Sequence, residues 1–184
     1  MKRYVILTVG KTHSGKTTFA RDLEQWVSKS VVIDQDNHAA FINRYYSKLL
    51  PRTGPNVLKY TVSQAIVDYA MHQTDLHLII CNSNRSRTGR EQLLSYFHNN
   101  GFRSILVNFD MPDAILEERV AKTKRDTDIF RSAATFEEVL SRQQADSSKS
   151  DIVPPTDGEA DHLFTIQQEN DVPFIIQEIC NLLE

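Results

Sequence analysis

The sequence predicts an α/β fold, a three-layer sandwich in which a five-stranded parallel sheet carries helices on both faces. Five short apolar runs rich in β-branched residues alternate with longer stretches of helical periodicity. Strands that alternate with helices are joined by right-handed crossovers and therefore run parallel. The length agrees with this fold, because 184 residues, 40% of them hydrophobic, suffice for the core of one domain, which we expect to span residues 1–184.

The composition argues against several classes of protein. Charged residues make up 24% of the chain, as in ordinary folded proteins, and the net charge of -3 argues against a protein that coats nucleic acid. No apolar run approaches the roughly 20 residues of a membrane helix, and the first run ends at Gly10 without the cleavage pattern of a signal peptide. Cys81 and Cys180 lack metal or redox spacing. We therefore expect a cytoplasmic protein with reduced thiols, no membrane association and no obligate protein partner.

Apolar runs and turn signals place the elements along the chain. The predicted strands are RYVILTV (3–9), VVID (31–34), LHLIIC (76–81), SILVNFD (104–110) and HLFTIQ (162–167). The predicted helices cover residues 17–27, 38–50, 56–73, 88–100, 112–124 and 135–145, and a last helix begins at 171. Ligands of such sheets bind at the carboxyl ends of the strands, so the segments that follow the strands should carry the chemistry.

The segment after the first strand, GKTHSGKT (10–17), fits the phosphate-binding pattern GxxxxGK[ST] without a substitution. Its glycines permit a close approach of the backbone to an anion, and successive N–H groups point at that anion together with the positive end of the following helix. Lys16 adds a charge for the outer phosphates, and the hydroxyl of Thr17 can bind Mg²⁺. The residues expected to contact the nucleotide are Gly10, Lys11, Thr12, His13, Ser14, Gly15, Lys16, Thr17 and Thr18.

Two carboxylates follow the second strand. Asp34 and Asp36 lie two residues apart, so both can face the same edge of the sheet. A phosphotransferase needs a carboxylate there to accept or orient the proton of the attacking hydroxyl. The alternative is that one of them caps the following helix, which is a common role of aspartate.

A basic stretch, KTKRDTDIFR (122–131), joins two predicted helices. Phosphoryl transfer leaves charge on the equatorial oxygens, and mobile arginines can neutralise it when substrate is bound, so we expect a mobile lid near residues 122–135. The alternative is a solvated basic helix end, because cations favour helix C-termini. The basic residues of this region are Arg119, Lys122, Lys124, Arg125 and Arg131.

With these segments in this order, residues 1–144 resemble the small AAA-type P-loop kinases related to phage-type polynucleotide 5′-hydroxyl kinase, zeta-toxin-like kinases and small-antibiotic kinases. The resemblance rests on the phosphate-binding motif, VVIDQDNH, IICNSNRS, NFDMPDAILEER and the basic stretch. It implies a P-loop NTPase fold, ATP and Mg²⁺ as cofactors, and Asp36 as the general base, with Asp34 near the metal. It also implies that Arg119 and Arg125 are lid arginines.

The segment after the third strand departs from this group. Many of its members end that strand with an aspartate that contacts a metal-bound water, whereas Asn82 stands here, and an amide can hold such a water without neutralising charge. Asn84, Arg85 and Arg87 could contact the acceptor instead. Alternatively, Ser86 or Thr88 caps a helix and these arginines are solvated.

The resemblance also implies which segments surround the two substrates. In similar kinases the segment before the last strand flanks the adenine, and here it is VPPTDGEADH (153–162). Helices between the second and third strands form the acceptor side, where aromatic and basic residues could stack on a nucleotide acceptor or merely pack a helix pair. These residues are Arg44, Tyr45, Tyr46, Arg52, Lys59 and Tyr60.

We therefore hypothesise a kinase that moves the γ-phosphate of ATP to a hydroxyl group, either of a polynucleotide 5′ end or of a small molecule. One alternative is a switch protein that binds and hydrolyses ATP without a kinase acceptor, which Asn82 favours. Another is a nucleoside monophosphate kinase, in which Arg44, Arg52 and Arg85 could bind the acceptor phosphate.

Overall fold

The computed structural model describes residues 2–125, 127–130 and 135–183. Within them the strands are β1 (Arg3–Val9), β2 (Ser30–Ile33), β3 (His77–Ile80), β4 (Phe102–Phe109) and β5 (His162–Ile166). The α-helices are α1 (Lys16–Trp26), α2 (Gln35–Tyr45), α3 (Val57–Gln73), α4 (Arg87–Asn99), α5 (Asp113–Ala121), α6 (Phe136–Asp146) and α7 (Asp171–Leu183), and a short 3-10 helix covers Ser47–Leu49. Every helix in these ranges is too short or too polar to cross a membrane.

The five strands form one sheet in the order β2-β3-β1-β4-β5, and all neighbours are parallel. The central strand β1 is buried on both faces. Ile6 belongs to the core beneath α1, α5, α6 and α7, where it joins Phe19. Val5 and Leu7 belong to the opposite core beneath α3 and α4, where they join Phe97. The predicted three-layer sandwich with a parallel five-stranded sheet is thus confirmed.

Helices α2 and α4 begin earlier than the sequence predicts, because their capping side chains lie upstream of the predicted starts. Asp34 caps α2 by accepting a hydrogen bond from the backbone N–H of Asp36 at 2.9 Å, so this helix starts at residue 35 and not at residue 38. Ser86 caps α4 by accepting from the N–H of Gly89 at 3.0 Å, so that helix starts at residue 87. Thr88, the other predicted cap, lies within the helix.

A buried ion pair ties α4 to the loop before β5. The guanidinium of Arg90 donates to both carboxylate oxygens of Glu159 at 2.5 and 3.1 Å, and the two side chains are only 0% and 6% exposed. The same guanidinium donates to the backbone carbonyls of Asn84 at 3.2 Å and Arg85 at 2.9 Å. The pair therefore fixes the segment that follows β3, at the edge of the sheet where ligands are expected.

We expect Glu159→Ala to lower the free energy of unfolding by about 3–5 kcal/mol, because it leaves the buried guanidinium of Arg90 without a counter-charge. Urea denaturation measures this change. The matched control is Glu91→Ala, which breaks a pair with Arg87 in which both side chains are more than half exposed, and which should cost no more than ~0.5 kcal/mol. Equal losses in the two variants would contradict the structural role of the buried pair.

Candidate active site

The phosphate-binding motif forms a loop between β1 and α1 whose backbone adopts angles that favour glycine. Gly10 has φ 150° and Gly15 has φ 103°. A Cβ atom at Gly10 would lie 2.9 Å from Cβ of Phe109, so a side chain does not fit there. His13 is also left-handed, with φ 58°. Such a loop turns its amides toward a common centre, which is the geometry that binds phosphate groups.

Lys16, the first residue of α1, lies inside this loop. Its ammonium donates to the backbone carbonyl of Lys11 and, at 3.1 Å, to the hydroxyl of Ser14. Burial lowers the pKa of Lys16 to about 8. A cation that is partly desolvated within a ring of N–H groups interacts strongly with an anion. Lys16 therefore has the surroundings expected of a side chain that binds phosphate.

Helices α5 and α6 hold the outer side of the loop. Arg119 on α5 donates to the carbonyl of His13 at 3.0 Å and to the carboxylate of Glu169 at 2.6 Å. Gln143 on α6 accepts a hydrogen bond from the N–H of Thr12 at 2.7 Å. Arg119 therefore lies at the loop on the side of β5, and not on the segment predicted to be the lid.

Asp34 and Asp36 occupy different surroundings at the start of α2. The Asp34 side chain is buried, 4% exposed, and both its burial and the charge of Asp36 raise its pKa. Half of the Asp36 side chain is exposed, and its carboxylate lies 3.9 Å from the guanidinium of Arg125. Asp34 thus caps the helix, as the alternative interpretation expects, while Asp36 faces the open cleft.

The residues beside Thr17 fit a magnesium ion. Its hydroxyl accepts a hydrogen bond from the thiol of Cys81 over 3.7 Å, and burial raises the pKa of Cys81 to about 11, so the thiol stays protonated. Thr17 and Asp34 offer oxygen atoms, which are the ligands that Mg²⁺ prefers. Nowhere in residues 2–125, 127–130 and 135–183 do three His, Cys, Asp or Glu side chains group around a possible metal site.

The segment after β3 is joined to the phosphate loop and to α2. Ser83 accepts a hydrogen bond from the N–H of Gly10 at 2.9 Å through its carbonyl, and the Asn82 side chain accepts from the N–H of Gln35 at 3.3 Å. Asn84, with φ 42°, donates to the carbonyl of Thr8 at 2.9 Å. Asn82 therefore supports the backbone at the position where the resembling kinases have an acidic residue.

Part of the predicted lid lies over the cleft. The ring of Phe136 packs edge-on against the rings of His13 and Phe130, with centroids 4.7 Å apart in both pairs. The Arg125 guanidinium lies 5.0 Å from the centre of the same ring. Asn43 on α2 donates to the carbonyl of Asp128 at 2.6 Å. Residues 126 and 131–134, and with them the predicted lid residue Arg131, lie outside the described residues.

These elements enclose a cleft of about 1190 Å³. Thr12 to Thr18, Asp34 and Asp36 line its base, and Arg119 and Arg125 line its rim. On the acceptor side Lys59 and Tyr60 reach the cleft. The other predicted acceptor residues, which do not line it, are Arg44, Tyr45, Tyr46 and Arg52. Tyr45 and Tyr46 are instead 64% and 48% exposed, so they do not pack a helix pair either.

The predicted adenine segment does not line this cleft. Residues 153–162 pack near α4 and β4, where Glu159 pairs with Arg90 and Asp161 accepts from the N–H of Ser104 at 2.8 Å. Instead, the last residue of β5 and three residues after this strand line the cleft. They are Ile166, Glu169, Val172 and Pro173.

Sequence reasoning missed Gln143 and Phe136, which both contact the phosphate loop. No motif marks them. The available signal was the helical face: Phe136, Val139 and Leu140 are buried together on α6, and Gln143 follows at the spacing that continues this face. A polar residue that continues the buried face of a helix is expected to contact another segment of the protein.

The architecture recurs in solved kinase structures. A sugar kinase from Janibacter sp. has a TM-score of 0.64 and 18% identity, with 100% of this chain and 95% of that chain covered. The APS kinase of Mycobacterium tuberculosis in complex with AMPPNP and APS has a TM-score of 0.58 and 16% identity, covering 99% and 98%. A shikimate kinase from Bacteroides thetaiotaomicron has a TM-score of 0.56 and 14% identity, covering 98% of each chain. At these identities the likeness establishes the P-loop NTPase fold.

A comparison with curated proteins finds no match. The model of a protein family described as an AAA domain matches residues 5–146, which is more than half of the chain. The chain therefore belongs to the AAA domain family.

Proposed function

We propose that this protein is an ATP-dependent kinase that transfers the γ-phosphoryl group to a hydroxyl acceptor. The observation that carries the proposal is a phosphate loop, a half-exposed carboxylate and an arginine in one cleft, with Asp36 and Arg125 only 3.9 Å apart. Binding of a nucleotide alone requires the loop and Lys16. A carboxylate that faces the open side of the same cleft is what an attacking hydroxyl requires.

Each residue has a role in this reaction. The loop amides and Lys16 bind the β- and γ-phosphates and orient them. The hydroxyl oxygen attacks the γ-phosphorus, the bond from that phosphorus to the bridging β-phosphate oxygen breaks, and the hydroxyl proton passes to Asp36. When bound beside Thr17 and Asp34, Mg²⁺ neutralises charge on the phosphate oxygens. Arg125 stabilises the negative charge on the transferred group.

Arg119 has a different role from Arg125 in this proposal. Because Arg119 is bound to the carbonyl of His13 and to Glu169, it fixes the loop from the side of β5. Among the described residues, the Arg125 guanidinium lies 3.9 Å from the carboxylate of Asp36 and 5.0 Å from the centre of the Phe136 ring. We assign Arg125 to the transferred phosphate because its long contact with Asp36 lies within the cleft.

The comparisons support a kinase without selecting the acceptor. The sugar kinase, the APS kinase and the shikimate kinase share the fold over nearly the whole chain. The finer resemblance to polynucleotide 5′-hydroxyl kinases makes a polynucleotide end one acceptor to test, and small hydroxyl compounds are the other.

Incubation with γ-labelled ATP, Mg²⁺ and both kinds of acceptor tests the proposal. Label on an acceptor supports a kinase, whereas label only in free phosphate would favour the ATP-hydrolysing switch.

We expect Lys16→Ala to abolish turnover, because it removes the only side-chain cation that lies inside the phosphate loop in the described part of the chain. Calorimetry with Mg²⁺–ATP should show a large loss of affinity. Lys29→Ala is the control, since the Lys29 ammonium pairs with Asp75 at 3.0 Å and does not line the cleft. A Lys16→Ala protein that turns over at the unchanged rate would refute the phosphate site.

We expect Asp36→Asn to lower kcat by about 10²–10⁴-fold, because an amide cannot take the proton of the attacking hydroxyl. The affinity for Mg²⁺–ATP should change little. Asp34→Asn is the matched comparison: an asparagine still caps α2, so the fold is retained, and a defect that depends on magnesium concentration is expected instead. A full rate in Asp36→Asn would remove the assignment of the base.

We expect Arg125→Gln to lower kcat by about 10²–10³-fold with little change in KM, because its interaction strengthens only as charge develops on the transferred group. Steady-state kinetics separate the two constants. Lys124→Gln removes a neighbouring exposed cation and should leave both constants unchanged. Equal effects of the two substitutions would indicate a general effect of positive charge.

A further inference from the structure

A second cavity of about 540 Å³ opens beside the main cleft. It lies between α3, α4 and the segment that follows β3, on the face of the sheet opposite α1. The two spaces are adjacent, because six residues line both. They are Gln35, Tyr60, Asn82, Ser83, Arg142 and Gln143. A molecule in this cavity would thus border Gln35, the neighbour of Asp36 in sequence.

The floor of the cavity is apolar and rigid. It is formed by side chains of β2, β3, α3 and α4 that belong to or pack on the buried core. They are Ile33, Val67, Ile80, Leu93 and Phe97. A volume of this size accommodates one small molecule, and the apolar floor suits a carbon ring or chain.

Two arginines stand at the opening of this cavity, Arg85 and Arg142. Arg85 is partly buried and donates to the hydroxyl of Ser147 at 2.6 Å, and burial lowers the pKa of its guanidinium. Among the residues that the structure describes, neither arginine has a carboxylate within 4.0 Å. The lining carboxylate Asp146 pairs with Lys149 at 2.6 Å and also interacts with Arg85 and Arg142, so one carboxylate is shared by three cations. The opening therefore carries an excess of positive charge.

The position of Arg85 is fixed from behind. Its backbone carbonyl accepts a hydrogen bond at 2.9 Å from the buried guanidinium of Arg90, which Glu159 holds in place. A partly desolvated cation on a fixed backbone, without an ion pair, is an arrangement that binds an anion at little reorganisation cost.

We propose that this cavity binds the acceptor, and that the acceptor is a small hydroxyl compound carrying a carboxylate or phosphate group that Arg85 and Arg142 bind. The proposal rests on the kinase function proposed above. With the anionic group at the arginines and the carbon skeleton on the apolar floor, a hydroxyl is directed toward Gln35, which lines both spaces and precedes Asp36 in the sequence. A polynucleotide 5′ end is then not the preferred acceptor.

The test first occupies the phosphate loop, so that an added anion cannot bind there. The full-length protein is saturated with Mg²⁺ and AMPPNP and titrated by calorimetry with matched pairs of compounds, quinate against myo-inositol and glucose 6-phosphate against glucose. We expect an anionic member to bind at least tenfold more tightly than its neutral partner. Equal affinities within both pairs would overturn the proposal.

Variants identify the cations. Arg85→Gln should weaken binding of the anionic compound by about tenfold or more and leave the neutral compound unaffected. Arg87→Gln is the matched control two residues away, because the Arg87 side chain pairs with Glu91 at 2.9 Å and does not line the cavity. Circular dichroism verifies that both variants fold. An Arg85→Gln protein that binds the anion as tightly as the Arg87→Gln protein would also overturn the proposal.

A transfer assay separates this proposal from the kinase function. If anion binding depends on Arg85 but γ-labelled phosphate passes only to water, the anion site stands and the kinase proposal falls. If label passes equally to neutral and anionic compounds and Arg85→Gln has no effect, the kinase stands and the anion site falls.

Discussion

The phosphate loop depends on its packing against one side chain, Phe109 at the end of β4. Gly10 lies so close that an added Cβ atom would be 2.9 Å from Cβ of Phe109, and the same construction at Gly15 places that atom 3.7 Å from the Phe109 ring. The ring also packs edge-on against Phe19 of α1 at 5.5 Å. One aromatic residue therefore positions both ends of the loop and the helix that follows it. The direction of the intervening amides, on which anion binding depends, is a consequence of this packing.

A buried ion pair supports both the segment after β3 and the phosphate loop, whereas the contact of Arg125 with Asp36 is long and exposed. Arg90 binds the carbonyl of Arg85, and the neighbouring Ser83 carbonyl binds Gly10, so one buried ion pair supports both sides. By contrast, the contact of Arg125 with Asp36 is 3.9 Å long and both side chains are about half exposed. Contacts of that kind contribute roughly 0–1 kcal/mol, so phosphate groups can compete for Arg125 at small cost.

Local signals in the sequence were sufficient for the fold and for the phosphate loop. The loop residues are contiguous, and the strand before and the helix after them have their own periodicity, so no distant contact was needed. Contacts between distant residues were not predictable. The thiol of Cys81 meets Thr17 across 64 positions, and Arg90 meets Glu159 across 69, and in both cases only the folded sheet brings the partners together. The early start of α2 was missed for a local reason, because the Asp34 carboxylate caps the helix.

His13 links the phosphate loop to Phe136, and its side chain is uncharged. Its φ of 58° is unusual for a residue with a side chain and costs on the order of 1 kcal/mol. Burial, followed by the charges of Arg125, Lys16 and Arg119, lowers the pKa of His13 to about 4, so the imidazole is neutral at pH 7. The neutral ring packs on Phe136, whose ring also contacts Phe130 and the guanidinium of Arg125. Glycine at this position would fit the backbone better but would remove the contact with Phe136. A charged imidazole would add a fourth cation to Arg125, Lys16 and Arg119, which already repel each other. A neutral histidine is thus the form that links the loop to Phe136 while the charges of the cleft remain available for phosphate groups.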